Sequence, residues 1–276
     1  SVFGAADIQK DNHIVIAPHH VDLMKHGGMV DVAMTSFSPV WMGDVMTALL
    51  EQASSLPKYE PRAIPAAPLP DPIDLAGIIT YQSIHAAVSD FFQPKDIVIA
   101  ETGTASLSLG TVRLPADAVY HNQTLWGSIG WATPASLGTS LAAPDRRTIL
   151  ITGDGSHQMT ATEIGTMGRY GANPIIVCIN NAVYGVEEFL EHNIPRSYND
   201  LVNWDYAALP TVFGCKGWKS VKVATNEEFV AALKDARAHT TGGTYIEIIL
   251  GVALLPAMNE SEIKQLDMVK NPSYRY

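Results

Sequence analysis

Asp154 and Asn181 end two apolar runs of the chain, a carboxylate beside one and an amide oxygen beside the other. Gly153-Asp154-Gly155-Ser156 closes the run Thr148-Ile149-Leu150-Ile151-Thr152, and Asn180-Asn181 closes Pro174-Ile175-Ile176-Val177-Cys178-Ile179. Neither run alternates polar with apolar, which is the pattern of parallel strands buried on both faces. The stretch between them is amphipathic, so the segment reads as strand, helix, strand, with the two carboxyl ends side by side. Open α/β sheets bind ligands at that edge, and a Gly-Asp-Gly turn opening a helix leaves backbone N–H groups free for an anion. Magnesium prefers oxygen and is commonly held by one or two protein groups plus phosphate oxygens and water. A carboxylate, an amide oxygen and an anion site together suggest magnesium diphosphate.

The elements needed to hold these ends can be read on either side. A helical stretch runs from Asp74 to Phe92, a strand from Ile97 to Ala100, and a helix from Pro134 to Leu141. Thr225-Asn226-Glu227-Glu228 is a capping box that opens a helix through Arg237, and Tyr245 to Leu250 reads as another buried strand. Alternation of this kind predicts a doubly wound parallel α/β domain over residues 74–256. Prolines at 57, 61, 65, 68, 70 and 72, without apolar periodicity, predict a semi-rigid linker over 57–73. Residues 1–56 carry a strand-like His13–Ala17 and a helix-like Val40–Leu50, too few elements for a whole domain, and read as the C-terminal part of a middle α/β domain. Residues 257–276 form a tail.

The 276 residues suffice for a sizeable core, and a net charge of −10 argues against nucleic-acid or anionic-membrane surfaces, which need clustered Lys and Arg. Arg146-Arg147, the basic doublet, reads as a solvated loop before a strand. No apolar run approaches the ~20 residues of a membrane span, and the start lacks a signal pattern, so a cytoplasmic setting is expected. Cys178 and Cys215 are expected to be reduced core residues. His19-His20 follows Pro18 at a strand end and is assigned to a loop or to packing; His157, beside Ser156, is assigned to packing.

Further blocks stand in order around the first pair: Glu101-Thr102-Gly103, then Leu125-Trp126-Gly127-Ser128-Ile129-Gly130-Trp131, Gly153 to Gln158, Asn180 to Glu187, Ser197-Tyr198-Asn199-Asp200 and Asn203-Trp204-Asp205-Tyr206. Gly-Asp-Gly followed by Asn-Asn resembles the thiamine diphosphate motif. With the other blocks, the chain resembles the C-terminal portion of the non-oxidative thiamine diphosphate-dependent 2-oxo acid decarboxylases, which include pyruvate, indolepyruvate and phenylpyruvate decarboxylases. The likeness is strongest from about Ile97 to Gly214. It implies magnesium ligands at Asp154, Asn181 and the backbone carbonyl of Val183, where the family commonly has glycine. It implies cofactor contacts from Thr102, Gly103, Thr104, Gly127, Gly155, Ser156, Tyr184 and Val186, although many relatives have aspartate in place of Thr104. Ile129 matches the aliphatic residue on which the cofactor folds into its V shape. Glu187 matches the general acid and base, and Ser106, Val186 and Leu190 the substrate pocket.

The function implied is decarboxylation of a 2-oxo acid to an aldehyde and carbon dioxide. Ser106 stands where pyruvate-specific relatives have a large aromatic residue, so a substrate bulkier than pyruvate is expected. No block resembles the family's pyrimidine-binding domain, whose glutamate activates the cofactor. Another polypeptide carrying that domain is therefore expected to complete the site, in a dimer or tetramer of completed units. Two other readings stay open: a carboligase of the acetolactate synthase or benzaldehyde lyase type, against which Glu187 argues, and a cofactor-binding subunit without turnover.

Overall fold

The computed structural model describes residues 12–25, 32–55, 70–110, 112–123, 125–191 and 194–250. Most of the proline-rich segment and all of the tail expected over 257–276 lie outside the described residues. Two compact units part near residue 66.

In the first unit, β1 (Asn12–Ile16), β2 (Val21–Lys25) and β3 (Val32–Phe37) form an antiparallel sheet in the order β1-β2-β3, followed by α1 (Met42–Glu51). Their burial is too slight to print a strong pattern on the sequence, and β2 and β3 were not anticipated. His19 and His20 sit in the β1–β2 connection. His19 meets the Trp41 ring edge-on at 4.5 Å, and His20 Nε2 lies 3.4 Å from Asp22.

The second unit runs α2 (Tyr81–Phe91), β4 (Ile97–Ala100), α3 (Thr104–Leu109), β5 (Val119–His121), α4 (Ala132–Ala142), β6 (Thr148–Gly153), α5 (Asp154–Gln158), α6 (Glu163–Arg169), β7 (Ile175–Asn180), α7 (Gly185–Leu190), α8 (Leu209–Val212), β8 (Lys219–Val223), α9 (Asn226–Ala238) and β9 (Thr244–Ile249). Its six strands are parallel and ordered β5-β4-β6-β7-β9-β8. Alternate residues of the central strands feed two cores. Val98, Ile149, Ile151 and Val177 pack with α2, α3 and α9 on one face, while Ile99, Leu150, Ile176 and Cys178 pack with α4 and α6 on the other. Each fully buried large side chain contributes roughly 1.5–3 kcal/mol, which is why these strands carry unbroken apolar runs. Cys178 and Cys215 are both free and buried in the second core.

The helix expected over 74–92 begins only at Tyr81. Thr80 is extended, its hydroxyl accepts from Ser83 N at 3.1 Å, and Ser83 Oγ accepts from Thr80 N at 2.8 Å. This reciprocal cap fixes the start. Upstream, the Asp74 carboxylate accepts from Ala76 N in a tight turn, and Ile78 bridges to Thr225 instead.

The Arg146-Arg147 doublet is not simply solvated. Arg146 donates to the carbonyls of Lys95 and Asp117, and Arg147 to those of Asn173 and His239, so the guanidinium groups tie together loops at the amino-terminal edge of the sheet. Nearby, Arg237 grips the Asp96 carboxylate with two bonds of 3.0 and 2.6 Å and stacks over Phe91.

The chain leaves β4 toward the first core through α3 and leaves β6 toward the second through α5 and α6. The connections leaving the carboxyl ends of β4 and β6 therefore part, opening a crevice at the topological switch point of the sheet.

Candidate functional site

Asp154 opens α5 directly from β6 and is 2 % exposed. One carboxylate oxygen accepts from Gly155 N at 2.9 Å and the other from Ala182 N at 2.7 Å, which joins the ends of β6 and β7. Burial pushes the carboxyl up to about 6, against the pull of these backbone donors. Ala182 has φ +57, a left-handed conformation costing a non-glycine residue about 1–2 kcal/mol. That turn follows the two asparagines. Asn180 Nδ2 donates to Glu247 and to Asn203, both at 2.8 Å, fastening β7 to β9, while Asn181 faces Asp154.

The Asn181 amide oxygen lies 3.1 Å from Asp154 Oδ1 and 2.8 Å from the Val183 carbonyl oxygen. Three acceptors cannot satisfy one another. Either the amide turns over and its nitrogen donates to both, or a cation sits among three oxygens. Among the described residues no three His, Cys, Asp or Glu side chains group for a metal, so a cation here depends on one carboxylate, neutral oxygens and further ligands.

The cleft beside this cluster gathers Thr102, Gly103, Thr104, Ile129, Gly155, Ser156, Tyr184, Val186 and Glu187. It is narrow, about 80 Å³, and its chemistry, more than its size, distinguishes it from the larger groove of about 570 Å³ between β8 and α9. The Tyr184 ring lies across Gly155, where an added Cβ would meet the Tyr184 ring and stand 2.9 Å from Leu201 Cδ1. Gly103, at φ +116, turns the chain from β4 into α3. The segment after α7 straps this wall: Tyr184 N donates to Asn199 O, and Leu201 N to Ala182 O.

Of the residues singled out in the sequence, Gly127, Ser106 and Leu190 fall outside the cleft lining. Ser106 is 5 % exposed and its hydroxyl turns back to Gly103 O at 3.1 Å, so it backs the wall without facing the cleft. Leu190 is the last residue of α7, while Val186 and Glu187 lie at its start. Gly127 takes φ +61 in an exposed turn.

Two residues of the site were missed. Glu101 was quoted within a motif but given no role. Fully buried, it accepts from Thr102 N at 3.0 Å and Ala132 N at 3.1 Å. It thus fixes the turn that carries Ile129 against the one that carries Thr102, and burial raises its pKa. An acid directly after an apolar strand was the available signal. Tyr81, 3 % exposed, lines the cleft from α2 with no motif to mark it.

Behind the cleft, His157 is wholly buried, with Nδ1 2.9 Å from Thr133 Oγ1 and its ring beside Tyr245. Burial lowers its pKa to about 4 from 6.5. A group whose folded pKa is depressed stabilises the fold above its unfolded pKa and loses that contribution as pH falls toward the folded one. Between pH 6.5 and 4, wild type should therefore lose about 1.4 kcal/mol per pH unit relative to His157→Asn. Asp154 titrates with the opposite sign in this range but is common to both proteins. Urea unfolding at pH 7 and pH 5 measures the difference, and parallel pH dependences would disprove it.

A parallel, doubly wound sheet that brings a phosphate-type turn and an oxygen cluster to its switch point defines an α/β cofactor-binding domain. The chain belongs to the thiamine pyrophosphate enzymes, matching their C-terminal TPP binding domain over residues 101–248. It is 36% identical over 232 residues to an alpha-keto-acid decarboxylase of Mycolicibacterium paratuberculosis, covering 82% of this chain and 40% of that one. A pyruvate decarboxylase of Candida glabrata is 35% identical over 238 residues, covering 84% and 42%. In fold the chain is similar to the thiamine diphosphate-dependent 4-hydroxybenzoylformate decarboxylase of Rhodococcus jostii, with a TM-score of 0.62 and 24% identity over 78% of this chain and 40% of that chain. The chain thus spans about 40% of the length of its curated relatives. Among the described residues no helix is long and apolar enough to cross a membrane.

Proposed function

We propose that the protein supplies the diphosphate-binding part of a thiamine diphosphate-dependent 2-oxo acid decarboxylase that releases an aldehyde and carbon dioxide. The observation that carries this reading is the convergence of the Asp154 carboxylate, the Asn181 amide and the Val183 carbonyl, whose polar atoms meet at 2.8 and 3.1 Å, beside the Gly155-Ser156 turn. The Asp154 carboxylate, the Asn181 amide oxygen and the Val183 carbonyl would hold Mg²⁺, with diphosphate oxygens and water as its other ligands. Thr102, Gly103, Thr104, Gly155 and Ser156 would hold the cofactor, with Ile129, Tyr184 and Val186 as its apolar contacts; Tyr184 would turn aside to admit it. Bound thiamine diphosphate supplies the electron sink for decarboxylation. Glu187, at the rim of the same cleft, would deliver and accept the protons that the reaction consumes and releases.

The aliphatic Val186 in the cleft lining, beside Glu187, supports a 2-oxo acid bulkier than pyruvate as substrate. A polypeptide carrying the pyrimidine-binding domain would complete the site, in a dimer or tetramer of such units. The exposed apolar side chains of Leu125, Trp126 and Met159, in the turn before Ile129 and just after α5, support a covering partner. The test is an assay with magnesium and thiamine diphosphate, with and without co-purifying polypeptides, on pyruvate, phenylpyruvate and indolepyruvate. Free aldehyde with higher kcat/KM for the two larger acids is expected. Equal or better use of pyruvate would refute the substrate preference, acyloin as the main product would favour the carboligase, and full activity of the lone ~30 kDa chain by native mass spectrometry would refute the partner.

A further inference from the structure

We propose that Glu247 is a positioning residue for the metal cluster, holding Asn181 and the Val183 carbonyl in place from behind the cleft; this rests on the reading of the cleft given above. Glu247 is fully buried in β9, in register with Cys178 of β7, and does not line the cleft. Sheet pairing does not need it, because β9 already pairs with β7 along its whole length. A carboxylate so placed costs stability unless donors match its oxygens, and the donors that match this one lead to the cluster by two routes. On the first, Oε1 accepts from Asn180 Nδ2 at 2.8 Å, and the other N–H of that amide goes to Asn203 Oδ1, also at 2.8 Å. Leu250 N donates to Asn180 O at 2.9 Å. Gripped by side chain and backbone, the last residue of β7 sets the direction in which the chain enters Asn181 and the left-handed turn at Ala182. On the second, Oε2 accepts from Ala207 N at 2.9 Å and lies 3.4 Å from Lys222 Nζ, which itself bonds Asp205 at 3.0 Å. These contacts anchor the far end of the strap whose near end holds the cluster: Tyr184 N donates to Asn199 O, Leu201 N to Ala182 O, and Val183 bridges to Asp200. One carboxylate thus governs two of the three groups that converge beside the Gly155-Ser156 turn.

A glutamate that only fastened the sheet would affect stability and leave metal affinity alone. Calorimetric titration of the purified protein with Mg²⁺ in the presence of thiamine diphosphate, set beside the urea unfolding midpoint, separates the two roles. Glu247→Gln offers one acceptor and one NH₂ to two N–H donors, so either Asn180 or Ala207 loses its partner. Mg²⁺ affinity is expected to fall about 10–100-fold, as it does when groups behind metal ligands are altered. Asp96→Asn is the control: it breaks the buried pair with Arg237 at the amino-terminal edge of the sheet, so the midpoint should fall while Mg²⁺ affinity stays within about twofold of wild type. Adding Asn180→Asp to Glu247→Gln reverses the polarity of the broken bond, since the new carboxylate accepts from the glutamine NH₂ and the glutamine oxygen remains for Ala207 N. The double variant should therefore bind Mg²⁺ about tenfold or more tightly than either single variant. Wild-type Mg²⁺ affinity in Glu247→Gln, or equal losses in it and in Asp96→Asn, would overturn the positioning role. A double variant no better than Asn180→Asp alone would do the same, and that comparison decides the matter even if Glu247→Gln does not fold. Failure of wild type to bind thiamine diphosphate with Mg²⁺ would overturn the cleft assignment and this role with it.

Discussion

Asp154→Ala is expected to abolish retention of thiamine diphosphate and magnesium. The carboxylate has two duties that no neighbour can assume. It is the charged member of the oxygen cluster, and without it Asn181 and the Val183 carbonyl leave a divalent ion with neutral protein ligands only. It also receives Gly155 N and Ala182 N, so truncation strands two N–H groups at a buried junction, costing about 1–3 kcal/mol each. The strained turn at Ala182, held by one of those bonds, should relax and carry Asn181 out of place. The check is thiamine and magnesium content after desalting, alongside the unfolding midpoint. Asp154→Asn separates the duties, since an amide oxygen can still accept one backbone bond while the charge is lost: it should fold better than the alanine variant yet retain no more metal. An alanine variant that bound thiamine diphosphate with unchanged magnesium dependence would show that the ion sits elsewhere.

What could be read from the sequence follows from how strongly each element is buried. β6, β7 and β9 lie in the middle of the sheet, so both faces had to be apolar, and their runs stood out. β8 is an edge strand whose first four residues, Lys219 to Lys222, are exposed, and β5 has only three residues. Neither leaves a pattern. Asp154, Asn181 and Glu187 were legible because turn and strand-end residues are fixed by local spacing. Tyr81 reaches the cleft from α2, and Glu101 reaches Ala132 thirty-one residues away, so both placements exist only once the sheet has been wound. Ser106 and Leu190 show the converse error. Each lies close in sequence to a lining residue, but on a helix a few positions are enough to turn a side chain behind the wall or carry it past the cleft.

Glu187→Gln is expected to lower kcat of the completed enzyme by roughly 10²–10⁴-fold while leaving cofactor affinity nearly unchanged. Glu187 lines the cleft but belongs to neither the oxygen cluster nor the Gly155-Ser156 turn, so its charge should matter to proton transfer more than to cofactor binding. Its place is set by backbone: Glu187 N donates to Tyr184 O at 3.0 Å at the start of α7, and an amide of the same length preserves that geometry. Glutamine can still hydrogen-bond but cannot shuttle a proton, so the substitution isolates acid–base chemistry from packing. Glu188 supplies the control. It is the adjacent residue, carries the same charge in the same helical turn, and does not line the cleft. If the loss arose from the charge at the helix start, Glu188→Gln would reproduce it; if it arose from proton transfer, Glu188→Gln should stay within about twofold of wild type, the size of a surface macrodipole effect. Steady-state kinetics of both variants, with thiamine diphosphate affinity measured separately, decide the matter. Equal losses in the two, or a Glu187→Gln enzyme retaining a tenth or more of wild-type kcat, would remove Glu187 from the chemistry.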